Sequence, residues 1–295
     1  MEVGFIGTGA MGAAMAGHVA AAGHAVLAHD ADPAALDAAV GPGIRAARDV
    51  AEVAASADVV IVVVNTDAQT RAVVGAVLAA GGRPDLRIVV AGTAHPAAMI
   101  ELGEACAAKG IGFVDAPVCN GLQGALAGDL VSLCGGSDAD LAAVSPVLSA
   151  YSSSVEHLGP VGTGQIGKAC NNMMHWALCV ANFETLALAK ACGLDAQAMR
   201  ETLLKCPARN GTLERWDGTR FTWHEKDMDL VLDLSQKAGL SLPLFGAVDQ
   251  LVKRLGPGQV ADLLYGDRVA YLGQTVEGRP LAAVVTGRAH DRRPA

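Results

Sequence analysis

Along its first half the chain alternates short apolar runs with longer stretches of helical spacing, and the period of each determines what it can become. Residues 3–6, 25–29, 59–64, 86–91, 130–134 and 154–158 are runs of strand length bounded by turn-forming residues, as buried strands require. Between them, residues 10–22, 33–40, 49–56, 68–80, 96–109 and 138–149 carry small and aliphatic residues at helical spacing. Strand followed by helix, repeated, predicts a mostly parallel, doubly wound sheet. Past Gly159-Pro160 the strand signal disappears. From Gly162 to Gly193 no proline intervenes, which predicts one long helix with Gly193 as its left-handed stop. Further helices are expected from the Asp195 cap to about Leu204, from Lys226 to Ala238, and after Pro243, with an irregular segment over 206–218. The expected fold is α/β: a doubly wound domain over 1–161, then an all-helical domain over 162–295 joined to it by the long helix. Beyond Gly256 the pattern is weak.

The first strand breaks at once into Gly7-Thr8-Gly9-Ala10-Met11-Gly12, and the second ends in Asp30. Strand, glycine turn, helix, strand and acid in that order give G-x-G-x-x-G its meaning as a dinucleotide cradle, so the domain over 1–161 is expected to be Rossmann-type and dinucleotide-binding. Gly7 allows the tight turn, Gly9 lets the backbone approach a pyrophosphate, and Gly12 lets the helix lie close to the strand. The phosphates then face the helix N-terminus, where free N–H groups and the dipole favour negative charge. Asp30 can accept hydrogen bonds from the adenosine ribose and would repel a 2′-phosphate. Ala31-Asp32-Pro33 supplies no arginine to bind that phosphate, so NAD is expected over NADP. The competing reading makes Asp30 a helix N-cap ahead of Pro33.

Ligands of such sheets bind beyond the carboxyl ends of the strands. Asn65-Thr66 and Gly92-Thr93 fall at such ends, where they either face the cofactor or simply form turns. The stretch from Phe113-Val114-Asp115 to Cys119-Asn120-Gly121 leaves a strand through a loop of small residues, a composition that presents backbone N–H groups to anions such as carboxylates. On the long helix, Lys168 and Asn172 lie four apart and share a face, continued by His175, Trp176 and Cys179. Ile166, Met173, Leu178, Val180 and Leu186 on the other faces predict a largely buried helix. A lysine there is either a candidate acid/base or one that snorkels to the surface near the helix start. His175 and His224 are possible substitutes, though a helix-face histidine usually has a packing role.

Composition removes several alternatives. The 295 residues are 52% hydrophobic and 18% charged, enough for about two cored domains and inconsistent with disorder. A formal charge of -8, with no basic stripe beyond Arg288, Arg292 and Arg293, argues against a nucleic-acid or anionic-membrane surface. The seven cysteines show no metal-ligand spacing, so no metal is expected and a reducing compartment is implied. A strand that begins by Val3 leaves no room for a signal peptide, and no apolar run reaches spanning length; the expected location is the cytoplasm.

With these residues placed, the sequence resembles the β-hydroxyacid dehydrogenases typified by 3-hydroxyisobutyrate dehydrogenase. Four separated blocks carry the resemblance: residues 4–12, residues 115–125 from Asp115 through Gly124, Gly162-Thr163-Gly164-Gln165 with Lys168, Asn171 and Asn172, and Lys226-Asp227-Met228. The resemblance implies that Lys168 is the catalytic lysine and that Asn172 helps hold the substrate. It also implies that Cys119, Asn120 and Gly121 grip a substrate carboxylate and that Lys226 closes over the site near the nicotinamide. It implies a homodimer or homotetramer built through the helical domain. Two departures stand out: the family's Ser-Gly-Gly is Cys119-Asn120-Gly121, and its Asp-x-Ser-Thr loop is Val90-Ala91-Gly92-Thr93, keeping only the threonine.

The expected reaction is reversible hydride transfer between NAD and a small 3-hydroxy acid, with Lys168 taking the hydroxyl proton. Burial and a nearby cation such as Lys226 would favour the neutral amine this requires. Reduction of a small aldehyde acid with NAD(P)H, or oxidation of an amino-bearing hydroxyacid such as serine, is the alternative within enzymes. From a different class, a non-catalytic NAD-responsive binding protein would keep the fold and lack turnover.

Overall fold

The apolar runs assemble into a nine-stranded sheet in the order β3-β2-β1-β4-β5-β6-β8-β7, with β9 pairing β8. The strands are β1 (Glu2–Ile6), β2 (Ala25–His29), β3 (Ile44–Ala46), β4 (Val59–Val62), β5 (Arg87–Val90), β6 (Gly112–Asp115), β7 (Val118–Cys119), β8 (Leu130–Gly135) and β9 (Ser152–Gly159). These are the elements of a computed structural model that describes residues 1–83 and 85–286; the Arg288, Arg292 and Arg293 tail lies outside the described residues. Pairing is parallel from β3 through β6 and between β8 and β9, and antiparallel where β8 meets β6 and β7.

Helices cover both faces of this sheet, which is why its central strands are apolar throughout. In β4, Val59 and Ile61 enter one core with Phe5 and Met15, while Val60 and Val62 enter the other with Ile6 and Ile88. The covering helices are α1 (Ala10–Ala21), α2 (Pro33–Ala39), α3 (Val50–Ser56), α4 (Asp67–Ala79), α5 (Pro96–Ala107), α6 (Gly121–Ala127) and α7 (Asp138–Leu148). The chain then enters α8 (Thr163–Ala191). It divides into two compact units, Met1–Lys168 and Ala169–Ala295, with α8 continuing from the first into the second.

The second unit adds α9 (Ala196–Leu203), α10 (Gly211–Glu214), α11 (His224–Lys237), α12 (Pro243–Val252), α13 (Pro257–Tyr265) and α14 (Leu281–Val285). Its core gathers Trp176, Phe183 and Leu186 of α8 with Trp216, Met228, Val252 and Leu263. The Asp195 side chain accepts the Ala198 N–H, as its position at the helix start requires.

Several elements are not legible as local patterns. Strand β3 has three residues, of which only Ile44 is buried. The small-residue loop after Pro117 contains β7 and α6, the latter entered through Asn120 in the left-handed region (φ 81°). In the otherwise helical second unit, a hairpin forms from β10 (Arg268–Tyr271) and β11 (Gln274–Glu277), where the periodic signal is weak. Val269 of that hairpin and Leu263 of α13 are buried, so tertiary packing rather than local pattern specifies this region. Helix α8 is also less covered than its apolar content predicts: Ile166, Met174 and Leu188 are exposed.

Candidate active site

The turn after β1 has the geometry a pyrophosphate needs. Gly7 sits at φ +96°, and a Cβ there would meet Val63 O at 2.2 Å; one at Gly12 would meet Gly7 O at 2.0 Å. Both positions therefore exclude any side chain, whereas nothing lies within 4 Å of where a Gly9 side chain would stand. The first turn of α1 has neither a capping side chain nor an acidic residue, so the N–H groups that follow Gly9, including those of Ala10 and Met11, are left for an anion.

Asp30 closes the far side of this cradle. Its Oδ2 accepts the Thr8 N–H at 2.6 Å, and its Oδ1 accepts the Asp32 N–H at 2.9 Å. Burial opposes its charge, but the N–H donors of Asp32 and Thr8 outweigh that and hold the carboxyl below the usual carboxylate range. The N-cap of α2 is Asp32, which accepts from Ala34, so Asp30 is not the cap. A carboxylate offers about four lone-pair sites, and with the Thr8 hydroxyl also donating to Oδ2 at 3.3 Å, three bonds leave acceptor capacity for a ribose hydroxyl.

The loops after the next strands are built more tightly. Thr66 caps α4 and forms a capping box with Gln69, whose side chain also accepts the Asn65 N–H. The Thr66 hydroxyl thus has a turn-forming role. After β5, a Cβ at Gly92 would meet Val64 O at 2.5 Å, so the β4 and β5 loops touch backbone to backbone. Thr93 is half-buried within this loop.

At the end of β6, Asp115 is fully buried and receives the start of α8: Oδ1 accepts the Gly162 N–H at 2.6 Å and Oδ2 the Gln165 N–H at 2.9 Å. Burial pushes its carboxyl up to about 6 despite these backbone donors. The Gln165 side chain, also fully buried, accepts the Ala94 N–H at 3.0 Å and donates to Gly92 O at 2.9 Å. Neither residue is named by its immediate neighbours in sequence. The available signal was a buried-type carboxylate ending a strand, inside the same block that carries Cys119.

Against this anchored helix start, Lys168 Nζ lies 3.8 Å from Cys119 Sγ. Lys168 is half-buried and Cys119 is buried, so the ammonium borders the loop rather than bulk water alone. The Asn120 amide turns away to donate to Asp129 O at 2.8 Å, closing the loop on itself. Gly121, at φ +59°, is exposed with no atom within 4 Å of where its side chain would be. The structure thus brings Lys168 and Cys119 together, with the exposed backbone of Gly121 two residues further along the loop.

In the second unit, Asn172 is buried and its Oδ1 accepts from Asn171 Nδ2 at 3.1 Å. Lys226 is half-buried in the first turn of α11, next to Asp227, which accepts the Trp176 indole N–H at 3.0 Å. His224 Nδ1 lies 2.8 Å from Phe221 O and His175 Nδ1 lies 3.1 Å from Thr212 Oγ1, both packing-type bonds. Cys179 stands 3.9 Å from His175 Nε2, and burial pushes its thiol up to about 12, which keeps it in the thiol form expected of a packed core cysteine. Among the described residues no three His, Cys, Asp or Glu side chains converge as a metal site, and no helix is long and apolar enough to cross a membrane.

Comparison with known proteins matches both units. Residues 2–159 match a family described as the NAD binding domain of 6-phosphogluconate dehydrogenase, and residues 162–264 one described as NAD-binding of NADP-dependent 3-hydroxyisobutyrate dehydrogenase. The 2-(hydroxymethyl)glutarate dehydrogenase of Eubacterium barkeri is 30% identical across 85% of this chain and 88% of its own length. The NAD-dependent L-serine dehydrogenase of Pseudomonas aeruginosa is 32% identical across 72% of each chain. Among solved structures, Mycobacterium tuberculosis 3-hydroxyisobutyrate dehydrogenase with L-serine superposes with a TM-score of 0.80 at 27% identity, covering 90% of this chain and 99% of that one.

Proposed function

The chain belongs to the β-hydroxyacid dehydrogenase family, and from that premise we propose that it oxidises a small 3-hydroxy acid with NAD, using Lys168 as the proton carrier. The observation that carries the reading is Lys168 Nζ at 3.8 Å from Cys119 Sγ, which sets the ammonium beside the loop assigned to the substrate carboxylate. The cradle of Gly7, Thr8, Gly9, Ala10, Met11 and Gly12 fits the pyrophosphate, and Asp30 fits the adenosine ribose. When bound, the nicotinamide accepts or returns the hydride.

The protein's own groups do the rest. The backbone about Gly121 and the Cys119 thiol hold the carboxylate, which fixes the carbinol carbon in place. Lys168 removes the hydroxyl proton during oxidation and returns it during reduction. Asn172, one helical turn further on, hydrogen-bonds the substrate without adding charge. Thr93 and Asn65 contribute backbone and side-chain contacts to the cofactor. Asp30, with no arginine in Ala31-Asp32-Pro33, supports NAD over NADP.

The substrates in the relatives' names narrow the class. Serine, 3-hydroxyisobutyrate and 2-(hydroxymethyl)glutarate all contain a hydroxymethyl group on the carbon that bears the carboxylate, and they differ only in the third substituent. We assign the chain a substrate with that shared unit. A spectrophotometric screen of such acids with NAD and NADP, with Lys168→Ala as control, tests the proposal. Higher kcat/KM with NADP overturns the cofactor assignment, and unchanged turnover in the variant removes Lys168 from its role. NAD binding without turnover of any such acid would instead favour the non-catalytic binding protein. The proposal includes a homodimer or homotetramer, which light scattering checks.

A further inference from the structure

A run of close backbone contacts follows the carboxyl edge of the sheet from the dinucleotide turn to the catalytic helix. Gly7 abuts Val63 O, Gly92 abuts Val64 O, and the loop holding Gly92 is bonded to Gln165. Gln165 is the last link. Its side chain spans the loop after β5 through Gly92 O and the Ala94 N–H, while its backbone N–H is held by Asp115 at the end of β6. A fully buried primary amide is costly unless both its donor and its acceptor are used, and here both bond to backbone. Lys168 follows three residues later, on the neighbouring surface of the same helix.

We propose that Gln165 is a positioning residue that couples the loop 92–94 to the turn of α8 presenting Lys168, so that seating the cofactor against this loop and placing the ammonium become one event. The proposal rests on the reading of Lys168 as the proton carrier. The loop is bonded at both Gly92 O and the Ala94 N–H to the Gln165 side chain, so a shift of residues 92–94 passes through the amide into the first turn of α8. A misplacement of about 1 Å in such a geometry costs up to ~100-fold in rate.

The test compares wild type with Gln165→Leu by hydrogen exchange and by kinetics. In wild type, NAD should slow amide exchange both in residues 92–94 and in residues 162–168; in Gln165→Leu it should protect only the loop. With a 3-hydroxy acid deuterated at the carbinol carbon, the variant should lose ~10–100-fold in kcat with KM within about 3-fold, and its isotope effect should rise as hydride transfer becomes slower. Equal NAD protection of 162–168 in both proteins, or a kcat within about 2-fold of wild type, overturns the coupling. Should Gln165→Leu fail to fold, Gln165→Glu decides. Facing Gly92 O and the Ala94 N–H, its carboxyl again offers one donor and one acceptor only when protonated. Its rate relative to wild type should therefore climb as pH falls, and a flat ratio overturns the proposal. A wild-type chain that oxidises no hydroxy acid would sink the proposed reaction while leaving the exchange comparison readable.

Discussion

Two places along the sheet's carboxyl edge, after β1 and after β6, reach their geometry by different means. At the dinucleotide turn nearly everything is local or backbone: Gly7 and Gly12 exclude side chains, and Asp30 is tied to Thr8 from the adjacent strand. At the Lys168 end, buried side chains do the work across the fold, with Asp115 gripping a helix 47 and 50 residues later and Gln165 reaching back 71 and 73. The first arrangement tolerates no added bulk but needs few partners. The second tolerates little loss of polarity, because each deletion strands a buried N–H or C=O.

That contrast can be broken by substitution. The largest effect should be at the polar end: Lys168→Ala should lower kcat by ~1000-fold while NAD affinity, measured by calorimetry, stays within about 3-fold. Preserved turnover would show that the proton moves by another route. At the glycine end, Gly7→Ala meets both a positive φ and Val63 O, and should cost about 3 kcal/mol of stability together with NAD binding. A urea midpoint equal to wild type would show that the turn relaxes more easily than its contacts imply. Asp30→Ala should leave the fold intact and shift the NAD-to-NADP ratio of kcat/KM by ~10-fold toward NADP.

The smallest effect is one of pH. The Asp115 carboxyl is raised by burial from 3.8 to about 6, so between those values the folded chain keeps a proton that the unfolded chain has released. Its contribution to stability is therefore fully present below 3.8 and is lost as pH rises through about 6. Asp115→Asn cannot titrate and keeps one acceptor for the two N–H groups. The stability of wild type relative to this variant should accordingly fall between pH 3.8 and about 6, as read by urea unfolding at each pH. A constant difference would mean that Asp115 titrates alike in both states.

The same contrast explains what was legible in sequence. The cradle, Asp30 and the β-α alternation are short-range patterns, and Lys168 stands out as a cation on an apolar helix. The structure also removes the capping reading of Asp30, because Asp32, two residues later, takes the capping position. It gives Thr66 a capping bond that a polar residue at a strand end only hints at. By contrast, Asp115 and Gln165 look like ordinary members of a block until the fold brings their partners to them. Strand β7, helix α6 and the β10–β11 hairpin escape for a related reason: they are too short for periodicity, and packing chooses them.

The left-handed backbone at Asn120 limits which descendants of this chain could vary there. Glycine and asparagine adopt that conformation readily, aspartate less so, and branched side chains hardly at all. Of the three, only asparagine can give a proton to the Asp129 carbonyl; aspartate would set oxygen against oxygen, and glycine would leave the loop untethered. Drift at position 120 is therefore confined to a choice between a tied and a slack rim, and slackness there would pass directly to the neighbouring Gly121 backbone.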